Sequence, residues 1–187
     1  PPFARDRCRP VDPRLGGDAP EWFPDWRGKP VAIIASGPSA TAWRAEGEWR
    51  VVAVNTSWRL APNADLLYAA DARWWRANRG VPGFAGLKAT QDGRLNFPDV
   101  RVVGIAGSRL SVRPGFIGHG GNGGFQALNL VLQFGARRIA LDGFDMHDED
   151  GVHWHDRHQG TNPDKAALAR WREALDSEKG ALDALGA

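Results

Sequence analysis

The stretch covering residues 118–145 constrains the fold more than any other part of the chain. It reads GHGGNGGFQALNLVLQFGARRIALDGFD, a glycine-rich turn followed by a helix and a short apolar strand. Apolar residues recur at helical spacing, Asn122 can cap the helix with its side-chain oxygen, and Gly135 is placed to end it. A helix N-terminus behind glycines suits a phosphate. Glycine-rich turns also arise from packing alone, and both interpretations stay open here.

Short apolar runs precede and follow this stretch. Such runs, bounded by turn residues, predict strands of a parallel sheet that is buried on both faces. The predicted strands cover residues 31–35, 50–54, 65–70, 87–90, 100–105 and 138–141. A last helix is predicted from a capping box of Thr161 and Asp164, with one apolar face that ends at Leu182. This pattern predicts an α/β fold, a mostly parallel sheet with helices on both faces.

Length and composition indicate a single domain. The chain has 187 residues, of which 42% are hydrophobic and 25% are charged, and both fractions are ordinary for a globular protein. Residues 1–29 are rich in proline, glycine and charge, so we expect an irregular N-terminal arm that packs its aromatic side chains onto the domain. Residues 30–187 are predicted to form the domain itself.

Charge and cysteine usage narrow the classes of function. The formal net charge is only +2 and the arginines are scattered, so there is no strong signal for nucleic-acid binding. No apolar run approaches the ~20 residues needed to cross a bilayer, and the first ten residues lack the apolar segment of a signal peptide. Cys8 is the single cysteine, which excludes an internal disulfide and fits a reducing cytoplasm. We therefore expect a cytoplasmic protein without a membrane partner.

Small and polar residues follow each of the first three predicted strands. Because open α/β sheets bind ligands at the carboxyl ends of their strands, these residues are candidate ligand contacts. They are Ser36, Gly37, Pro38, Ser39, Asn55 and Asp71. A plain strand–helix turn is the alternative for the first loop. Helix capping is an equal alternative for Asn55 and the leading expectation for Asp71.

A loop rich in histidine follows the last predicted strand. Four of the five histidines lie within twelve residues, accompanied by several aspartates: His147, His153, His155 and His158. Histidine titrates nearest neutral pH, so the loop could supply a general base. Imidazole and carboxylate groups also suit zinc or manganese, although the spacing matches no standard zinc pattern and no metal ligands are assigned. A polar loop with satisfied histidines is the third interpretation.

The order of these motifs resembles a known family. Strands ending in Ser36-Gly37-Pro38-Ser39 and in Asn55 precede a glycine-rich helix start, and a strand ending in Gly143-Phe144-Asp145 precedes the His-Trp-His loop. Residues 30–175 resemble the Rossmann-like family of motility-accessory-factor proteins and pterin pyrophosphokinase-like domains, which is common in phages and prophages. The chain resembles, more distantly, the bacterial sialyltransferases of glycosyltransferase family 42.

The resemblance to the sialyltransferases implies a site and a reaction. It implies that a nucleotide donor, with a CMP-sugar as the model, contacts the loop after the first strand, Asn55 and the helix start. The matching positions are Gly37, Pro38, Ser39, Asn55, Gly121, Asn122, Gly123 and Gly124. It also implies that His153 or His155 deprotonates the acceptor hydroxyl, and we expect Asp145 to orient a histidine or a ribose hydroxyl. The sialyltransferases carry Ser or Thr where this chain has Gly121-Asn122-Gly123, so the identity of the donor stays open.

The first hypothesis is therefore an enzyme that transfers a sugar from a nucleotide-activated donor, in the cytoplasm of a bacterium that carries a phage or prophage. The second is a pyrophosphokinase-like phosphotransferase that uses ATP and a divalent metal. The third is a phage protein that binds a nucleotide without turnover. In each case the expected ligand is a small nucleotide, and the sequence is compatible with a homo-oligomer.

Overall fold

A computed structural model describes residues 18–44, 47–147, 151, 153–155 and 163–187. The main sheet has six strands, all parallel, in the order β5-β4-β3-β2-β1-β8, and β6 pairs with β7 in a second sheet of two strands. The strands are β1 (Pro30–Ile34), β2 (Arg50–Val54), β3 (Leu66–Tyr68), β4 (Leu87–Thr90), β5 (Val100–Val102), β6 (Gly104–Ile105), β7 (Phe116–Ile117) and β8 (Arg138–Asp142). The predicted α/β fold with a mostly parallel sheet is confirmed.

Within the described ranges, four α-helices and two short 3₁₀ helices accompany the sheet. The α-helices are α1 (Ala72–Ala77), α2 (Gly123–Gln133), α3 (Lys165–Asp176) and α4 (Lys179–Leu185). The 3₁₀ helices, Pro38–Ala42 and Asn55–Arg59, directly follow the β1 loop and β2. None of the helices in the described ranges is long and apolar enough to cross a membrane.

The core has two halves, one on each face of the sheet. Strand β1 is buried on both faces, as its continuous apolar run predicts. Val31 and Ile33 face the half that contains α2, together with Trp26 of the N-terminal segment. Ile34 lies in the other half, which contains Trp75 of α1. The sheet therefore forms the middle layer between the two halves of the core.

Helix α2 begins and ends as the sequence predicts. The Asn122 side chain accepts from Phe125 N–H at 2.9 Å, so the predicted cap is confirmed. At the other end Gly135 has a φ of 93°, a conformation that favours glycine. Ala136 N–H donates to Val131 C=O at 3.1 Å and Gly135 N–H to Leu132 C=O at 3.0 Å, which is a Schellman motif.

One stripe of α2 carries buried amides that hold the chain entering the helix. Asn129 Oδ1 accepts from Ser111 N–H at 2.9 Å and from Gly118 N–H at 2.7 Å, while its NH₂ donates to Ser111 C=O at 2.9 Å. Gln133 accepts from Gly115 N–H at 3.0 Å and donates to three carbonyls. Gln126 accepts from the Tyr68 hydroxyl at 2.7 Å. The bonds of Asn129 and Gln133 satisfy backbone N–H and C=O groups of residues 111–118, a segment whose one regular element is the two-residue strand β7.

The structure differs from the sequence expectation in three elements. The predicted strand at 100–105 is broken at Val103, which is buried and donates to Thr90 C=O at 2.9 Å. Its second half forms β6 and pairs with β7, which was not predicted. The last helix begins one turn later than expected, because Asp164 itself caps α3 by accepting from Ala167 N–H at 2.7 Å, and the chain then breaks into α3 and α4.

The segment covering residues 18–29 is irregular and packs on the C-terminal end of α2. Trp22, Phe23 and Trp26 each meet the Phe134 ring edge to face, with ring centroids 6.1, 4.9 and 4.9 Å away. Trp26 N–H also donates to Phe134 C=O at 2.8 Å. Residues 1–17, the remainder of the expected arm, lie outside the described residues.

Candidate functional site

The candidate site lies where the carboxyl ends of β1 and β8 meet. β1 sits between β2 and β8, and the chain leaves β1 towards β2 but returns to β8 after α2 on the other side. Open α/β sheets bind ligands at such a reversal of strand order. The loop after β1, Asn55 after β2, the start of α2 and Asp145 after β8 all belong to this end of the sheet.

The loop after β1 is filled by a carboxylate of the protein itself. Asp145 Oδ2 accepts from the Ser39 backbone N–H at 3.3 Å and from its hydroxyl at 3.0 Å, and Ser39 Oγ accepts from Gly143 N–H at 3.1 Å. A Cβ on Gly37 would clash with this carboxylate and would lie 2.6 Å from Gly143 C=O. The structure thus brings Gly37, Ser39 and Asp145 together, but the Ser39 donors are already used.

The glycine-rich turn before α2 is also occupied by internal contacts. Gly120 N–H donates to Ser108 C=O at 3.2 Å, and Gly121 N–H donates to His119 Nδ1 at 3.2 Å. A Cβ on Gly121 would lie 2.9 Å from the Trp171 ring, and the position also has a φ of 83°. The predicted ligand contact at Gly121 therefore has a packing explanation.

The first turn of α2 offers free donors. The N–H groups of Gly123 and Gly124 have no hydrogen-bond partner in the described part of the chain. The Asn55 side chain is likewise unpaired there, and a Cβ on Gly123 would lie 3.9 Å from its Nδ2. Asn55 holds a φ of 52°, which asparagine tolerates better than most residues. Nδ2 of Asn122 is buried and has no partner within the described ranges.

Trp154 fastens the histidine loop to the strand ends. Its backbone N–H donates to Ser36 C=O at 3.0 Å, and its indole N–H donates to Ser57 Oγ at 3.2 Å. The flanking His153 and His155 rings stack with centroids 5.2 Å apart and an interplanar angle of 7°. The two predicted base candidates are thus held beside the loops that follow β1 and β2. The sequence pattern gave no signal for the role of Trp154.

The structure describes one of the two remaining histidines of this loop. His147 is half-buried, and its Nδ1 has no partner among the residues that the structure describes. His158 lies outside the described residues, as do three of the neighbouring aspartates. Within the described ranges no group of three or more His, Cys, Asp or Glu residues could hold a metal ion.

Asp71 follows β3 but does not cap α1. It stands at the N-cap position without a side-chain capping bond, and Asp92 Oδ2 accepts from Ala72 N–H at 3.1 Å instead. The expected capping role is therefore wrong, because a buried carboxylate twenty residues away takes the donor. Asp71 is exposed, and its charge adds to the burial that raises the pKa of Tyr68.

Acidic groups dominate the end of β8. Burial raises the pKa of Asp142, and the nearby Asp145 charge raises it further. Met146 has a φ of 51°, and its carbonyl accepts from Arg172 at 2.7 Å. The chain therefore leaves β8 in a strained conformation that α3 holds.

A cavity of about 420 Å³ lies between the glycine-rich turn and the C-terminal helices. Gly120 and Gly121 form one wall, and Arg170 and Trp171 of α3 form another. Arg109 in this cavity pairs with the buried Glu178 and donates to Ser177 C=O at 2.8 Å. Its charge is thus used to fix the junction of α3 and α4.

Comparison of the chain with protein-family models, with curated proteins and with solved structures found no match in any of the three.

Proposed function

We propose that the protein is an enzyme that transfers a group, in the first instance a sugar, from a nucleotide-activated donor. The donor would lie across the carboxyl ends of β1 and β2 with its phosphate at the start of α2. The observation that carries this proposal is the set of unpaired donors there, namely the N–H groups of Gly123 and Gly124 and the Asn55 amide. Free N–H groups and the positive end of an eleven-residue helix attract an anion.

In this proposal Asp145 contacts the ribose of the nucleotide and not its phosphate. Its Oδ2 is used by Ser39, whereas its Oδ1 makes no hydrogen bond among the described residues. An ionised carboxylate oxygen at this edge suits a ribose hydroxyl, which is a donor. Asp145 would also repel a phosphate from the β1 loop, so the phosphate is expected at α2 and the ribose near β8.

The base would come from the stacked histidine pair. Neutral imidazole accepts a proton near pH 7, and a positioned base contributes about 10²–10⁴-fold to a rate. His153 and His155 flank Trp154, whose two hydrogen bonds fix it at Ser36 and Ser57. An acceptor hydroxyl that reaches this pair would be deprotonated there and would attack the anomeric carbon, and the nucleotide phosphate would leave with the bonding electrons.

The donor is identified first by thermal shift with CMP, CDP, UDP, GDP, ADP and ATP, each with and without magnesium or manganese. A ligand at 100-fold its dissociation constant adds about 2.7 kcal/mol of stability. A shift with a cytidine nucleotide and no metal supports a sugar donor. A shift that requires ATP with metal indicates the phosphotransferase instead, and no shift with any nucleotide refutes the proposal.

Variants of Asn55 test the phosphate position. Asn55→Gly removes the amide and accepts the positive φ, whereas Asn55→Asp keeps the shape and adds a negative charge. We expect both proteins to fold, with nucleotide affinity falling about tenfold in the first and further in the second, as loss of a hydrogen bond and then charge repulsion require. Equal affinity in the wild type and both variants would show that the phosphate binds elsewhere.

Variants of the histidines test the base. His153→Phe and His155→Phe each keep a flat ring for stacking but remove the imidazole. One of them should lose turnover by about 10²-fold or more while nucleotide affinity stays unchanged. Nucleotide binding with no turnover in the wild type would leave a binding protein, and normal turnover in both variants would exclude the histidine base.

A further inference from the structure

Among the described residues, the outer edge of β8 is one of the two unpaired edges of the main sheet, and that of β5 is the other. β8 is the one strand of the six without a buried residue, and Leu141 is 39% exposed, although its neighbour β1 is buried along almost its whole length. No strand of the described residues pairs with this edge. An uncovered edge with apolar residues is a template for pairing with another chain.

The backbone of β8 is oriented for such pairing. Asp142 C=O accepts from Ala35 N–H at 2.8 Å, so Asp142 directs its carbonyl towards β1. Because successive residues of a strand direct their N–H and C=O groups to opposite sides, Ile139 and Leu141 direct theirs outward. Each could exchange two hydrogen bonds with a residue of an added antiparallel strand.

The sequence of β8 is complementary to itself. It reads Arg-Ile-Ala-Leu-Asp, with a cation at its first position and an anion at its last. An antiparallel pair centred on Ala140 would place Arg138 opposite the partner's Asp142 and Ile139 opposite the partner's Leu141. We infer that β8 pairs with β8 of a second copy of this chain, which joins the two sheets into one of twelve strands.

The side chains fall on the correct faces for this pairing. Ile139 and Leu141 are in register with Val31 and Ile33, so they lie on the α2 face of the sheet, where the pair would cover them. Arg138 and Asp142 lie on the opposite face, and neither forms an ion pair with a described residue. Opposite charges facing each other across strands stabilise the pair.

The dimer would also place a cation beside each candidate site. Asp142 ends β8 at the carboxyl edge and directly precedes Gly143, whose N–H donates to Ser39. The partner's Arg138 would reach this position, whereas within one chain the Arg138 guanidinium lies over the Trp49 ring, 5.4 Å from its centroid, and forms no ion pair with a described residue. An arginine there offsets the repulsion between Asp142 and Asp145, so each copy completes the charge balance of the other.

Sedimentation equilibrium of the full chain tests the assembly. We expect a dimer of twice the 20.4 kDa chain mass, with a dissociation constant of about 10 μM, as suits a small interface. Arg138→Asp and Asp142→Arg each place like charges opposite each other and should weaken the dimer about tenfold or more. The double exchange, Arg138→Asp with Asp142→Arg, should restore it.

As a control, Arg101→Asp in β5, the other edge strand, should leave the measured mass of the dimer unchanged. In the wild type, amide exchange of Ile139 and Leu141 should slow as the concentration rises, which tests the interface even where a variant fails to fold. A monomer at about 200 μM overturns the inference, because a 10 μM dimer would be largely formed there. A dimer that both single reversals leave intact overturns it as well.

Discussion

Substitution of Gly37 by alanine separates a packing glycine from a ligand-binding one. A Cβ at this position would clash with the Asp145 carboxylate and lie 2.6 Å from Gly143 C=O. The carboxylate would have to leave Ser39, and the hydrogen bond from Gly37 N–H to Gly143 C=O, now 2.9 Å, would have to lengthen. We therefore expect Gly37→Ala to lower stability rather than affinity alone.

The expected loss follows from these contacts. The two Ser39 hydrogen bonds to the half-exposed carboxylate contribute about 1 kcal/mol each, and displacement of the Gly143 backbone adds about 1 kcal/mol of strain. The sum is about 3 kcal/mol. For a domain of this size that corresponds to a fall in Tm of about 6–12 °C.

Urea denaturation with two matched glycine variants provides the assay. Gly93→Ala meets no atom within 4 Å and should change the free energy of unfolding by less than about 0.5 kcal/mol. In Gly123→Ala, at the first position of α2, the added Cβ would lie 3.3 Å from Val54, and we expect this variant to fold normally. Its methyl group would obstruct the free N–H and weaken nucleotide binding.

A double-mutant cycle identifies the clash. In an Asp145→Ala background the cost of Gly37→Ala should fall by about 1 kcal/mol or more, because the carboxylate is gone. If Gly37→Ala is as stable as the wild type, or if its cost is the same in both backgrounds, the carboxylate does not fill the loop as described. Asp145 would then no longer be expected to repel a phosphate from the β1 loop.

Three further perturbations follow from the same structure. Asn129→Leu leaves two backbone N–H groups, those of Ser111 and Gly118, without partners and should cost about 2–4 kcal/mol in denaturant unfolding, whereas Asn129→Asp keeps both accepted bonds and should cost less. The hydrogen bond from Arg94 holds the pKa of the buried Asp92 well below its usual range, so its stabilisation is complete above about pH 4 and is lost as the pH falls further; Asp92→Asn should be less stable at pH 7 and flatten the acid limb of stability against pH. Trp154→Phe loses the bond to Ser57 and should raise hydrogen exchange at residues 153–155 without changing exchange in β1.

The elements that the sequence predicted well are those with local causes. Helix α2 is specified by the Asn122 cap, apolar residues at helical spacing and the glycine at its end, all within fourteen residues. Strands β1 and β2 follow from short apolar runs, which suit a parallel strand covered on both faces. The two-residue strand β7 has no such signal, because its existence depends on pairing with β6.

The sequence predicts where the candidate site lies in the fold, but not which of its residues form hydrogen bonds with each other. The polar residues do gather at the carboxyl ends, because the fold places those ends together. The partner of Ser39, however, is Asp145, 106 residues later in the chain, and α1 is capped from Asp92 and not from Asp71. Contacts between residues so far apart leave no trace in spacing or periodicity, so the sequence could not show that a protein carboxylate already occupies the loop.

The two edge strands of the main sheet, β5 and β8, differ in how readily they could pair with another copy of the chain. β5, at the far edge, has the exposed Arg101 at its centre, between Val100 and Val102. A second copy added there in antiparallel fashion would set two arginines opposite each other, which is unfavourable. When two copies pair through β8, neither copy has an unpaired β8 edge left. The exposed arginine of β5 then disfavours pairing with a third copy at that edge. Self-association through strand edges would therefore stop at two chains, and raising the protein concentration would not draw the sheet out into a fibre.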